Sequence, residues 1–253
     1  LSLRRQRQMC IRDSPWIDRI FHKSIVYLGC TRQYSKSNWK LYFENVKDPY
    51  HASLLHLFHT TFNIFRVGMK ARSIPDATHG LHSIITVTKP EDNADTAAAY
   101  SAQNIRSMDD GFALEDPELL GQIQEYEEMT TNQIQPIFPQ LVVQQIHNTL
   151  VARQLLPKGP SNFELVFHFF GYEDDTPELR ELRLLQANLV GPAGYISMED
   201  TEATELVQRG TARDGDKHSY IAMARSAPQQ TDTVITENLI RRFWVGYQKL
   251  MGY

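Results

Sequence analysis

Two short runs of this chain contain residue types that could do chemistry together. The stretch Asn45 to His56, NVKDPYHASLLH, holds two histidines five apart, His51 and His56, with Asp48 three residues before the first. Far downstream a second run, Gly191 to Asp200, GPAGYISMED, ends in two adjacent acids, Glu199 and Asp200. Two imidazoles and one carboxylate on one face of a ferrous ion leave the opposite positions open for O2 and for water or substrate, as non-haem Fe(II) oxygenases require. Each residue alone also has a plainer reading. Two histidines five apart are more often incidental, His51 suits a hydrogen-bonded core position, and Asp200 suits a loop. Asp48 suits a helix cap just before Pro49.

The spacing sets a geometric condition. Five residues of ideal helix turn through about 500°, which leaves the two histidine side chains roughly 140° apart. They can share a metal only if the helix is locally distorted, as by a π-bulge, or if the side chains reach round.

The elements that must position these residues follow from pattern. A helix is expected from Pro49 to about Phe58, with Leu54, Leu55 and Phe58 on its apolar face. Strand pieces are expected at Ile25 to Leu28, at Ser83 to Val87, at Ile146 to Leu156 and, with half-buried alternation, at Phe163 to Tyr172, while Asn132 to Gln154 is rich in apolar residues. Pro157 to Pro160 reads as a turn and Lys89 to Ala98 as a surface loop. Helices are expected over Glu118 to Thr131, Thr176 to Leu189 and, amphipathically, Asn238 to Met251, with Thr204 to Arg209 in the same style. Strands and helices segregate rather than alternate, which favours an α+β fold with an antiparallel sheet.

Bulk properties narrow the function classes. The chain has 253 residues, 42% hydrophobic and 22% charged, with a net charge of −4. That is enough apolar material for a real core, and it provides no basic field for nucleic acid. No run of about 18 apolar residues marks a membrane span. Two cysteines, Cys10 and Cys30, exclude a disulfide scaffold, fit a cytoplasmic protein and cannot ligate an iron–sulfur cluster by themselves. Leu1 to Ser14 is Arg-rich; it reads as a non-native, adapter-derived or disordered segment, with an organelle transit peptide as the alternative.

DPYHASLLHLF together with GPAGYISMEDTEATELVQ resembles the α subunits of Rieske-type aromatic ring-hydroxylating oxygenases. The similarity is to the branch acting on aromatic carboxylates, which includes salicylate 5-hydroxylases and the anthranilate and terephthalate dioxygenases. It covers about residue 19 to the C-terminus, and its two motifs stand in the right order about 150 residues apart. The resemblance implies an antiparallel sheet wrapped by helices with a long C-terminal helix, a helix-grip or Bet v 1-like catalytic domain over residues 15–253. It implies Fe(II) held by His51, His56 and Asp200, with Glu199 open to a shifted or bidentate ligation. Asp48 matches the acid that links a neighbouring subunit's cluster to the iron histidine. A carboxylate accepting a histidine N–H would also fix the ring's tautomer. The family's N-terminal Rieske domain, with its 2Fe–2S cluster, is expected before Pro15 and is missing from this sequence. Implied partners are O2, a small aromatic acid, a ferredoxin or reductase passing electrons from NAD(P)H, and a homotrimer with or without a small β subunit.

An aromatic carboxylate calls for a cation in an apolar pocket, and arginine suits its planar shape. Arg153 and Arg241 are the candidates by position in the family, with His82 as a weaker one. Strand alternation puts Arg153 with Val151 and Leu155, but both faces there are apolar, so alternation leaves its direction open. An outward strand residue and a solvated helix face, the latter for Arg241 or Arg242, are the plainer readings. Phe58, Phe62, Phe65 and Met69 could line a pocket or simply fill the core. The rival functions are a non-catalytic small-molecule-binding domain of the same fold with structural histidines, and a metal-free hydrolase. The hydrolase would need a nucleophile, and no Gly-x-Ser-x-Gly elbow is present.

Overall fold

The computed structural model describes residues 15–62, 64–65, 69–76, 78–88, 114–126, 130–218, 220, 223 and 232–252. The expected loop Lys89 to Ala98 and the segment 1–14 lie outside the described residues. Seven strands form one antiparallel sheet: β1 (Ile25–Ser35), β2 (Lys70–Pro75), β3 (Ser83–Thr88), β4 (Thr130–Ile137), β5 (Leu141–Ile146), β6 (Thr149–Gly159) and β7 (Asn162–Tyr172). Their order across the sheet is β1-β7-β6-β5-β4-β3-β2. β2 to β7 thus form a meander of neighbours, and β1 closes the far edge against β7.

Alternation along β7 shows why the sheet has a core face. Phe163, Leu165, Phe167 and Phe169 are buried on one side and join Val142, Val151 and Leu155 from the neighbouring strands. Helix α1 (Trp39–Asn45) lays Tyr42 and Phe43 on this face, and the C-terminal helix α6 (Asn238–Met251) adds Phe243. Trp244 of α6 donates its indole N–H to Glu44 of α1 at 2.8 Å, tying the two helices at a polar edge. On the opposite face a helical stretch over 15–20 packs Ile20 with Val143, Leu150 and Tyr172. The α+β fold with a helix-wrapped antiparallel sheet is therefore as expected. No helix among the described residues is long and apolar enough to cross a membrane.

Local expectations fared unevenly. The C-terminal helix spans Asn238 to Met251 as expected, and the helix after Thr176 becomes α4 (Pro177–Val190), with the Thr176 hydroxyl accepting from Leu179 N–H. Among the described residues of the helix expected over Glu118 to Thr131 stand one 3-10 turn, Pro117–Leu120, and the start of β4. Its scattered apolar residues make no continuous stripe, and its C-terminal end pairs into the sheet, Thr130 opposite Thr88 of β3. Pro157 and Gly159 extend β6 rather than forming the turn, because Pro157 still pairs opposite Phe163. The helix expected from Pro49 to Phe58 is broken in two: α2 (Ala52–Leu55) and α3 (Leu57–Thr61).

A buried ionic cluster anchors α4. The Arg183 side chain, 1% exposed, donates from Nε and Nη2 to the two oxygens of Asp175 at 2.9 Å each. It also donates to Glu125 and to the carbonyl of Asn148. Burial opposes ionisation of Asp175, but the Arg183 guanidinium and the Tyr172 N–H outweigh it and hold the carboxyl below its ordinary value. A folded-state pKa below the unfolded one stabilises the protein above the unfolded value, near 4. That contribution should fade as pH falls through the depressed folded value. Acid titration followed by circular dichroism should show Asp175→Asn flattening the loss of stability below about pH 4; an unchanged acid limb would refute the assignment.

Candidate metal centre

The break between α2 and α3 falls on His56, whose backbone (φ −83°, ψ 86°) leaves the helix. That single non-helical residue removes the angular mismatch of two histidines five apart on a regular helix. The His51 and His56 rings come within 5.2 Å of each other, centre to centre. The third member arrives from α5 (Tyr195–Thr211), a continuous helix rather than a loop, which carries Asp200 inward in its second turn, 4% exposed. Gly194 lets α5 start so close to the end of α4, since a β-carbon there would overlap the Leu189 carbonyl.

The hydrogen bonds define the tautomers. His51 Nδ1 lies 2.6 Å from the Asp48 main-chain carbonyl, which can only accept, so Nδ1 carries the proton. His56 Nδ1 lies 2.7 Å from a Glu199 carboxylate oxygen, which likewise accepts. Both Nε2 atoms point inward, 3.4 Å (His51) and 3.1 Å (His56) from Asp200 Oδ1. Ring nitrogens this close to a carboxylate oxygen are held there by a positive charge between them, either a proton or a metal ion. One ligand atom each from His51, His56 and Asp200 lies within 4.8 Å of the others, a donor set that fits one cation.

Electrostatics point the same way. Burial disfavours an ionised His56, yet Asp200 and Glu199 prevail and push its pKa up to about 9. Burial also opposes the Asp200 charge, but His56 and His51 pull its carboxyl far below the usual range. The two carboxylates thus favour a positive charge at the histidine nitrogens they face.

Several expectations are modified. The Asp48 carboxylate does not take the His51 ring proton: its Oδ2 is 3.8 Å from Nδ1, too far for a hydrogen bond. Its Oδ1 accepts from the N–H groups of Tyr50 and His51, the capping role, while its carbonyl orients the ring. Burial raises the Asp48 carboxyl's pKa, an effect that His51 and those two N–H groups partly offset. Glu199 orients His56 from behind rather than facing Asp200.

One cavity joins this cluster to the core face of the sheet. His51, His56 and Asp200 border it, as do Phe65, Ile134, Ile146 and Arg153. Arg153 is the expected arginine that reaches it; it is buried and donates to the Tyr42 hydroxyl at 2.5 Å. Arg241 does not border the cavity: its neighbours on α6, Ile240 and Phe243, take the buried positions, and its Nε donates to the Met223 carbonyl. His82 is also elsewhere, accepting from Phe138 N–H, with burial and then the Lys47 charge lowering its pKa to about 4. Phe65 and Met69 pack together in one core cluster, and Phe58 packs with Ile64, Leu189 and Ile196 in another.

Sequence reasoning missed Asn45, His59, Asn132 and Gln144, all of which border the cavity. Asn45 donates to Asp200 Oδ1 at 3.1 Å and also lies 3.2 Å from His51 Nε2. His59 is buried with neither ring nitrogen hydrogen-bonded. Amides inside β4 and β5, where strands disfavour Asn, were the available signal.

Partners that orient a metal-bound histidine typically contribute 10–100-fold in affinity. Glu199→Gln should therefore weaken Fe(II) binding by about that factor, measured by anaerobic titration; affinity within twofold of the parent would show that Glu199 plays no orienting part.

Known proteins resemble the chain in both sequence and fold. Residues 23–252 match the family model for the ring-hydroxylating α subunit, catalytic domain. The large subunit of anthranilate 1,2-dioxygenase from Burkholderia cepacia is 80% identical over 239 residues, 94% of this chain and 56% of that protein. The α subunit 2 of the terminal oxygenase component of terephthalate 1,2-dioxygenase from a Comamonas species is 44% identical, covering 93% and 56%. The chain thus spans about half the length of these relatives. Among solved structures, naphthalene 1,2-dioxygenase from a Rhodococcus species, bound to indole, superposes with a TM-score of 0.70 at 18% identity, over 93% of this chain and 59% of that one. At that identity the likeness establishes the fold alone, but the sequence match goes further: this chain belongs to the family of ring-hydroxylating α-subunit catalytic domains.

Proposed function

We propose that this chain is the iron-holding part of an oxygenase that hydroxylates an aromatic carboxylate, with His51, His56 and Asp200 as the Fe(II) ligands. The observation carrying this reading is the convergence of two Nε2 atoms on one buried carboxylate oxygen, with all three donor atoms within 4.8 Å of one another. Fe(II), when bound, supplies the redox chemistry that activates O2. The chain's own residues do the rest. The Asp48 carbonyl and Glu199 hold the two imidazoles in the ligand tautomer, and Asn45 steadies Asp200. Asp48 also takes the role of coupling electron arrival to His51.

The 80% identity to an anthranilate dioxygenase large subunit supports an anthranilate-like acid as substrate. Arg153 would orient its carboxylate so that the ring lies beside the metal, a positioning role. Its burial and its unpartnered Nε support this, as does the lack of an ion-pair carboxylate among the described residues. Electrons would come from NAD(P)H through a reductase, with or without a ferredoxin, and a 2Fe–2S Rieske cluster outside residues 15–253. The working assembly would be a trimer, with or without a small β subunit.

The test is turnover by the full-length α subunit with its reductant proteins, given anthranilate, salicylate, terephthalate or naphthalene. Hydroxylated acids among the products support the reading; oxidation of naphthalene alone overturns the acid assignment. Failure to bind one Fe(II) per chain would favour a non-catalytic binding domain. A charge-assisted hydrogen bond contributes about 1.5–3 kcal/mol. Arg153→Met should therefore raise the acid's Kd about 10–100-fold while one Fe(II) still binds, and an unchanged Kd removes Arg153 from the role.

A further inference from the structure

The core face of the sheet carries three polar side chains on a diagonal. Strand register pairs Asn132 with Ile146, Ile134 with Gln144, and Val142 with Arg153. Asn132 on β4, Gln144 on β5 and Arg153 on β6 therefore step two residues per strand across a single face. Ile134, Ile146, Val142 and Val151, which flank them on that face, are all apolar. Diagonal neighbours of this kind stand about 7–8 Å apart, the scale of a benzene ring with its substituents.

All three side chains are more than nine-tenths buried, and all three border the cavity that holds His51, His56 and Asp200. Yet the Asn132 Oδ1, Gln144 Oε1 and Arg153 Nε atoms have no hydrogen-bond partner. A buried amide without a partner weakens a fold, and an apolar residue would suit either strand position better. Two unpaired acceptors and one cation on an apolar floor have the chemistry of a reader for a ligand with two polar groups.

We infer that Asn132 and Gln144 determine specificity by accepting hydrogen bonds from an N–H or O–H substituent placed beside the carboxylate that Arg153 holds. The inference rests on the substrate reading above and narrows it. The substrate class becomes aromatic acids bearing an amino or hydroxyl donor, rather than simple benzoates or diacids. A site built around such bonds discriminates against an analogue that lacks the donor, because its acceptors are then left unpaired.

The experiment compares two ligands of matched shape, anthranilate and 2-methylbenzoate, by calorimetry on the full chain loaded with Fe(II). The parent should bind anthranilate at least about tenfold more tightly. In the Asn132→Leu/Gln144→Met double variant that ratio should fall to about one, with Fe(II) stoichiometry reporting that the fold is intact. If the double variant does not fold, Gln144→Met alone carries the test and should lower the ratio at least about threefold. A parent ratio near one, or a ratio that survives the substitutions, overturns the proposal. If Fe(II) binds and neither acid does, the substrate reading itself has failed, and this inference fails with it.

Discussion

Replacing His56 by alanine should leave the chain unable to hold one Fe(II). His56 is the buried imidazole at the helix break, and its Nε2 lies 3.1 Å from Asp200. Removing it deletes one of three donors and leaves Glu199 without the N–H it accepts. Orienting partners alone account for about 10–100-fold in metal affinity, so losing a ligand should exceed 100-fold. His51→Ala and Asp200→Ala should do the same. Asp200→Ala also strips the cluster of the charge that pushes His56 up to about 9. Anaerobic titration with Fe(II) is the measurement, and His79→Ala, an exposed histidine, is the control. Stoichiometric binding retained in any one of the three ligand variants would show that the proposed ligand set is wrong.

Arg183→Met should cost the protein about 3–5 kcal/mol, the scale for removing one partner from a buried ion cluster. The variant keeps the volume of the stem but takes the guanidinium from the Asp175 carboxylate, 1% exposed, which keeps only the Tyr172 N–H and the more distant Arg180, and from that of Glu125, 8% exposed, which keeps the Asn148 amide. It also frees the Asn148 carbonyl at the β5–β6 turn, so α4 loses its anchor to the sheet. Because α5 follows α4 through the tight Gly194 junction, looser docking of α4 should also loosen Asp200. Urea unfolding checks the first effect and Fe(II) titration the second. A change in stability below about 1 kcal/mol would mean that water replaces the guanidinium at little cost, as at an exposed pair.

Much of the site was legible from one-dimensional pattern. The proposed ligand set of His51, His56 and Asp200 came from the resemblance of its two motifs, and the fold brings one donor atom of each within 4.8 Å of the others. Alternation in Phe163 to Tyr172 and the periodicity of Asn238 to Met251 identified their elements, since burial of one face imposes its period on sequence. Pattern failed where tertiary pairing overrode local preference. Glu118 to Thr131 has helix-forming residues, yet most of that stretch is irregular or claimed by the sheet. Arg153 sat between two apolar faces and had no sequence-level direction until its register opposite Val142 turned it inward.

Sequence by itself determined the family, through the resemblance of two motifs in order, and the segregated α+β architecture, through the period of its apolar residues; it also named the proposed ligands. Only the tertiary structure decided how two histidines at an unfavourable helical spacing come to face one acid. It did so through a backbone break at His56, whose dihedral angles no local pattern encodes. Tertiary structure also decided which of Arg153, Arg241 and His82 reaches the cavity and set two unpaired amides beside it. Side-chain direction on a sheet is fixed by pairing with strands remote in sequence, and that pairing exists only once the chain has folded.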